Sequence, residues 1–164
     1  MLKSIIKFYR KSDPVAPYSD DETVNKKYYN KLRWSSFLAA TIGYSLYYVC
    51  RTSLNVVKQP ILESGALQAD QLGVIGAALL FTYAIGKFVN GFMTDYSNIK
   101  RFMATGLAVS AIANLLVGLL DFSYTSGAFL ASSGFFIAFA VLWGINGWSQ
   151  AMGAAPAVVS LSRW

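Results

Sequence analysis

The sequence predicts an all-α membrane protein with four transmembrane helices, and three observations carry that prediction. Of its 164 residues, 55% are hydrophobic and only 13% are charged, against about a quarter charged in an ordinary soluble domain. The apolar residues gather in blocks long enough for a bilayer, which needs ~20 of them per helix. Short polar turns separate the blocks, and the basic residues are segregated: eight of the fourteen Lys and Arg precede Trp34.

Residues 1–33 form a mixed-charge, proline-containing lead-in. Leu2, Ile5, Ile6 and Tyr9 fall at helical spacing among Lys3, Lys7, Arg10 and Lys11. That pattern fits a short amphipathic helix on the membrane surface, and equally a solvated tail held near anionic lipid. The lead-in carries Asp13, Asp20, Asp21 and Glu22, and it lacks a short apolar core followed by a small-residue cleavage site. No cleavable signal peptide is expected.

The first predicted span covers about 34–58 and closes by Pro60, with a polar loop through Gly65. The second covers about 72–94 and holds one charge, Lys87; the turn DYSNIKR, Asp95 to Arg101, follows it. The third, about 102–120, has no charge. Residues 121–127 read as another turn, and the fourth span lies within about 128–159. The lead-in and the second-to-third turn are basic, whereas the third-to-fourth turn carries only Asp121. By the positive-inside rule the N-terminus is cytoplasmic, and four crossings return the chain to the same side, where Arg163 sits. Gly86, Asn90–Gly91, Gly106, Gly144, Gly147 and Gly153 are small enough to let helices approach closely, although glycine is frequent in membrane helices in any case.

Composition narrows the chemistry. With no His and a single Cys, Cys50, His-based catalysis, a zinc centre and an intramolecular disulfide are excluded. No phosphate-cradling GxxxxGK[ST] loop and no Asn-x-Ser/Thr acceptor occurs. No paired carboxylate or activated nucleophile stands at membrane depth, so an enzyme is not expected, nor are a cofactor or a metal. The net charge of +6 reads as topology rather than as a nucleic-acid footprint.

One stretch stands out, Gly43 to Lys58, because it places Arg51 in an apolar span. A charge at membrane depth costs about 2.5–3.5 kcal/mol or more, and such residues are usually retained for a substrate, an ion or a partner. Tyr44, Tyr47 and Tyr48 precede Arg51 by seven, four and three residues, spacings that put all four on one side of a helix. A guanidinium among phenol hydroxyls suits an oxyanion, since its planar fork binds two oxygens at once. The alternative is snorkelling: counted from Trp34, Arg51 lies ~26 Å in, within reach of the outer interface. Lys87 lies ~22 Å from Leu72 and has the same two readings. Asp95 is placed to pair with Lys100 or Arg101. Asn146, Trp148 and Gln150 give the fourth span polar edges that either line a cavity or bond between helices.

Three motifs then carry a resemblance: GYSLYYVCRTSLNVVKQPIL (Gly43 to Leu62), QLGVIGAALLFTYAIGKFVNGFMTDYSNIKRFMATGL (Gln71 to Leu107), and NGWSQAMG (Asn146 to Gly153) with Pro156 after it. As a set, in order and at these spacings, they resemble the N-terminal part of the organophosphate:inorganic phosphate antiporters of the major facilitator superfamily. That family includes glycerol-3-phosphate and hexose-6-phosphate transporters and a hexose-phosphate sensor. The resemblance implies the first third of a twelve-helix fold whose two six-helix halves rock about a midplane site. It implies that Arg51 binds the phosphoryl group, aided by an arginine of the seventh helix, that Tyr44 and Tyr48 line the site, and that Lys87 faces the same cavity. It further implies a phosphorylated small molecule and inorganic phosphate as ligands, in a bacterial inner membrane.

Two departures accompany the match. Tyr96 follows Asp95 where the family usually has Arg, and residues 154–159, AAPAVV, replace the usual Trp-Pro-Pro-Cys-Gly-Arg. The gate closed by the turn and the family's fourth-helix arginine are thereby put in question. Because the chain stops at Trp164, where a fifth helix would begin, the expectation is a fragment that forms one wall of a cavity and is inactive without its missing helices. A sensor of external hexose phosphate acting on a kinase, and a scaffold without a site, are the alternatives.

Overall fold

The computed structural model describes residues 2–11, 19–125 and 132–162. These form five helices: α1, Leu2–Tyr9; α2, Glu22–Glu63; α3, Ala69–Tyr96; α4, Ile99–Thr125; and α5, Ser132–Ser162. Asp13, the first residues of the predicted fourth span and Arg163 lie outside the described residues.

The expected all-helical class holds, with longer helices than expected. α2 starts in the lead-in, twelve residues before Trp34, because Asp21 caps it: the Asp21 carboxylate accepts from the Thr23 amide at 2.8 Å and from the Thr23 hydroxyl. It also continues through Pro60 to Glu63. A proline in the last turn removes one amide donor where few intrahelical bonds remain to be lost. Gly65, with φ +71°, then turns the chain out in the left-handed conformation that glycine supplies at a helix end. At the same end of the bundle, residues 121–125 continue α4 instead of forming the predicted turn.

α3, α4 and α5 each contain a stretch long and apolar enough to cross a membrane: Ala69–Tyr96, Ile99–Ser123 and Ser133–Ser162. The protein is integral to the membrane, and among the described residues three such spans are found rather than the four expected. The predicted first span, inside α2, falls short because Tyr44, Tyr47, Tyr48, Arg51 and Asn55 interrupt its apolar run. At 1.5 Å per residue the 42 residues of α2 extend ~63 Å, twice the ~30 Å of a hydrocarbon core.

α5 is the centre of the bundle: α3 and α4 pack on it, and α2 lies against α5 and α4. Towards the α2–α3 connection the core is apolar, built from Leu72, Ile75, Leu79, Val117, Phe135, Phe139 and Trp143. Phe135, Phe139 and Trp143 follow at i, i+4 and i+8 and meet edge to face, with centroids 5.9 and 5.8 Å apart. Towards the middle, backbones close in on small residues. A Cβ at Gly147 would meet the Leu79 carbonyl oxygen and the Thr82 hydroxyl, and one at Gly153 would meet the Tyr47 ring. The Thr82 hydroxyl donates to the Gly144 carbonyl at 2.8 Å across the same seam. Of the glycines singled out in the sequence, Gly91 alone has open space at its Cβ position.

Candidate functional site

α2 brings Arg51 against α3. Its guanidinium carbon lies 4.8 Å from the centre of the Tyr83 ring, and the Lys87 ammonium lies 5.1 Å from the same ring. Two cations therefore share one aromatic face system, each within the ~6 Å over which a ring quadrupole attracts a charge. Lys87 reaches the ring because it follows Tyr83 by four residues, one helical turn. Tyr44 and Tyr48, also one turn apart, meet edge to face at 5.2 Å. Tyr44 lies within electrostatic reach of Tyr48, Tyr83 and Arg51.

The structure thus brings Arg51, Lys87 and Tyr44 to a fifth residue, Tyr83, with Tyr48 beside Tyr44. Tyr83 lies 14 residues from Ala69 and 13 from Tyr96, at the midpoint of α3. Arg51, packed on it, therefore stands level with the midpoint of α3. Tyr48 and Lys87 are exposed and Tyr44, Arg51 and Tyr83 are half-buried, so the group forms an open wall. None of the five residues is acidic.

Tyr47 does not join them. It is 1% exposed, and its hydroxyl donates to the Met103 carbonyl of α4 at 2.7 Å. The reading that put three tyrosines beside Arg51 fails here because successive residues step ~100° around a helix. Tyr44 and Tyr48 turn to one side of Arg51, and Tyr47 turns to the other, into the bundle.

Behind the Arg51 turn lies a buried polar seam. The Gln150 amide donates to the Tyr47 carbonyl at 3.0 Å and to the Ser110 hydroxyl at 3.0 Å. The Asn146 amide donates to the Cys50 carbonyl at 3.4 Å, and its oxygen accepts from Ser110 at 2.6 Å. Ser53 donates to Asn114 of α4. Of the predicted alternatives for Asn146 and Gln150, bonding between helices is what the structure contains; both are at most 4% exposed. Trp148, at 38% exposure, faces outward. Tyr83 and Asn114 were missed by sequence reasoning. A tyrosine four residues before an intramembrane lysine was the available signal for Tyr83; nothing in the sequence marked Asn114.

At the α3–α4 turn Arg101 donates to the Phe8 carbonyl at 2.7 Å, and the Asp95 backbone oxygen accepts from Lys11 at 3.1 Å. The expected partnership of Asp95 with Arg101 gives way to contacts with the N-terminal segment. Tyr96, the residue that departs from the family pattern, is 81% exposed.

Comparison with known proteins agrees with these features. Residues 40–164 match the family model of the Major Facilitator Superfamily. The chain is 35% identical over 159 residues to a probable hexose phosphate transport protein of Chlamydia pneumoniae, covering 96% of this chain and 32% of that protein. It is 32% identical over 136 residues to the glycerol-3-phosphate transporter of Haemophilus influenzae, covering 83% and 26%. It is 31% identical over 156 residues to the membrane sensor protein UhpC of Escherichia coli, covering 95% and 33%. The chain thus spans about a third of the length of the curated relatives it matches. No solved structure gives a significant match. With a helical bundle that contains membrane-spanning stretches and a family match over residues 40–164, the chain belongs to the major facilitator superfamily.

Proposed function

We propose that this chain supplies the phosphate-binding wall of a secondary transporter that exchanges a phosphorylated organic anion, a sugar phosphate or glycerol phosphate, for inorganic phosphate by alternating access. The observation that carries the reading is the pair of cations, Arg51 and Lys87, 4.8 and 5.1 Å from the Tyr83 ring at the midpoint of α3. A guanidinium at that depth is costly unless an anion or a partner compensates it. Its fork matches two phosphoryl oxygens, while Lys87 adds a point charge and Tyr44 and Tyr48 add hydroxyl donors. The relatives named as hexose phosphate and glycerol-3-phosphate transporters support that ligand class.

In this reading residues 34–58 of α2 form a fourth crossing, polar because one side of it faces an aqueous pathway, and the N-terminus is cytoplasmic. The four helices supply one wall, and further helices of a longer protein supply the opposite wall. Four helices without that wall do not transport.

The similarity to a membrane sensor protein favours a second reading, in which the same wall detects external organophosphate for a signalling partner. One experiment addresses both. Phosphate-loaded vesicles bearing the full-length protein are given glucose 6-phosphate or glycerol 3-phosphate outside, and phosphate efflux is followed. Exchange is expected, with Arg51→Lys and Arg51→Ala each lowering it at least ~10-fold, because ammonium cannot reproduce the bidentate fork. Tyr83→Leu is expected to raise KM by a few-fold through loss of the ~0.5–2 kcal/mol that holds both cations in place. Binding without exchange favours the sensor. Exchange unchanged by Arg51→Ala removes the site.

A further inference from the structure

α1 has no part in the wall around Arg51, yet it is tied firmly to the bundle. The Asn98 amide donates to the Tyr9 carbonyl at 2.7 Å, and Arg10 and Ser97 form an antiparallel bridge. The Tyr9 hydroxyl donates to Thr105 at 2.9 Å, and its ring meets the edge of Phe102. Arg101 donates to the Phe8 carbonyl at 2.7 Å while its guanidinium lies 4.7 Å from the centre of the Phe8 ring. These bonds fix α1 against the α3–α4 turn and the first turns of α4. That turn joins two apolar spans, Ala69–Tyr96 and Ile99–Ser123, so α1 is held where hydrocarbon gives way to headgroups.

Eight residues extend ~12 Å and cannot cross a bilayer, and such a helix is marginal in water without partners. Tyr9 is its docked residue. Stepping ~100° per residue places Ile5 and Ile6 on either side of the Tyr9 direction and Lys7 nearly opposite. Ile5, Ile6 and Phe8 remain 51%, 61% and 48% exposed. Lys3, Lys7, Arg10 and Lys11 surround them, and residues 2–11 contain no acid. Large apolar side chains left bare at the membrane boundary, ringed by cations alone, match an acidic bilayer surface in both polarity and charge.

We propose that α1 is a seat for acidic phospholipid: Ile5, Ile6 and Phe8 enter the acyl boundary, and Lys3, Lys7 and their basic neighbours bind headgroups. Bound lipid thereby bears on the α3–α4 turn through Tyr9, Lys11 and Arg101. The proposal stands apart from the nature of the transported ligand.

The test uses the 164-residue chain in lipid nanodiscs, with Cys50→Ser and a bimane label at Ile6→Cys. Quenching by spin-labelled acyl chains is compared in phosphatidylcholine alone and with phosphatidylglycerol added, and aqueous iodide provides the opposite probe. Acyl quenching is expected to strengthen with phosphatidylglycerol and to weaken in high salt. Lys3→Gln and Lys7→Gln leave every bond to the turn intact and are expected to cut the ratio of lipid-seated to free label about fivefold each. Tyr9→Phe is expected to keep lipid quenching while losing the Thr105 bond. Acyl quenching that is equal in neutral and acidic discs, or a label quenched by iodide in both, overturns the proposal. The second result would identify a solvated tail; the first, an apolar contact without lipid selection.

Discussion

α5 and α2 are both long helices of one bundle, and they are held by different physics. α5 meets α3 through backbone-to-backbone approach at Gly147, Gly144 and Thr82, with an apolar ladder of Phe135, Phe139 and Trp143 above. α2 buries only Ala40, Tyr47 and Ile61, and around the Arg51 turn it is fastened by amide donors from α5 and by its own Tyr47 hydroxyl, which donates to α4. The difference follows from what each helix carries. A helix that must present Arg51, Tyr44 and Tyr48 on one side cannot be apolar all round. Its inward side therefore contributes bonds in place of the surface contact it lacks, and in a bilayer such bonds hold because water does not compete for the buried groups.

The comparison breaks most severely at the α3–α5 seam. A Cβ at Gly147 falls on a backbone carbonyl, which cannot swing aside as a side chain would. Gly147→Ala is expected to cost at least about 3 kcal/mol, at the upper end of overpacking penalties, and to lower the detergent melting temperature sharply. Gly91→Ala, on the same α3 helix with open space around it, is expected to leave melting unchanged. Equal effects at the two positions would mean that close backbone approach does not hold the seam.

A smaller loss is expected from the polar seam, and it should be confined to α2. Gln150→Ala removes donors to Tyr47 and Ser110, at about 1–2 kcal/mol for interhelical bonds within a membrane. Cys50, half-buried and the chain's single cysteine, reports the loosening. Its alkylation by a membrane-permeant maleimide is expected to accelerate about tenfold, while hydrogen exchange in α3 stays as it was. Unchanged alkylation would transfer the fastening of α2 to Tyr47 and its bond to Met103.

This division also explains what was legible in the sequence. The spans in α3, α4 and α5 were readable because each holds a long stretch of high mean hydropathy despite single polar residues, and α1 because Ile5, Ile6 and Tyr9 keep helical period. The start of α2 was misread at Trp34, since hydropathy marks where apolar residues begin and not where helix begins; the cap at Asp21 marks the latter. Depth counted along α2 could not decide between a snorkelling and a central Arg51. Only the register of antiparallel α2 against Tyr83 sets Arg51 level with the midpoint of α3, and register between helices is not a property of either helix alone. Tyr47 and Tyr48 are neighbours of one type whose fates diverge, one into the bundle and one onto the open wall, because a 100° step matters more than the residue name. Tyr83 gains its place only in the fold, where Arg51 of another helix joins Lys87 over its ring.

The smallest expected effect lies at the exposed start of α2, far from either seam. Hydrogen bonds from the Thr23 hydroxyl and the Thr23 amide hold the Asp21 carboxyl below its ordinary range. A carboxyl depressed in the folded state contributes stability above its unfolded pKa and loses it as pH falls through the folded value. Acidification is therefore expected to speed amide exchange at Thr23, Val24 and Asn25, with no change at Tyr47 or Tyr83. Asp21→Asn keeps a cap acceptor that does not titrate, so its exchange should be flat with pH once the intrinsic rate is divided out. Asp21→Ala should be frayed at every pH. If Asp21→Asn kept the acid response, the neighbouring Asp20 or Glu22 would be its source, and α2 would owe its early start to its charged first turn rather than to its cap.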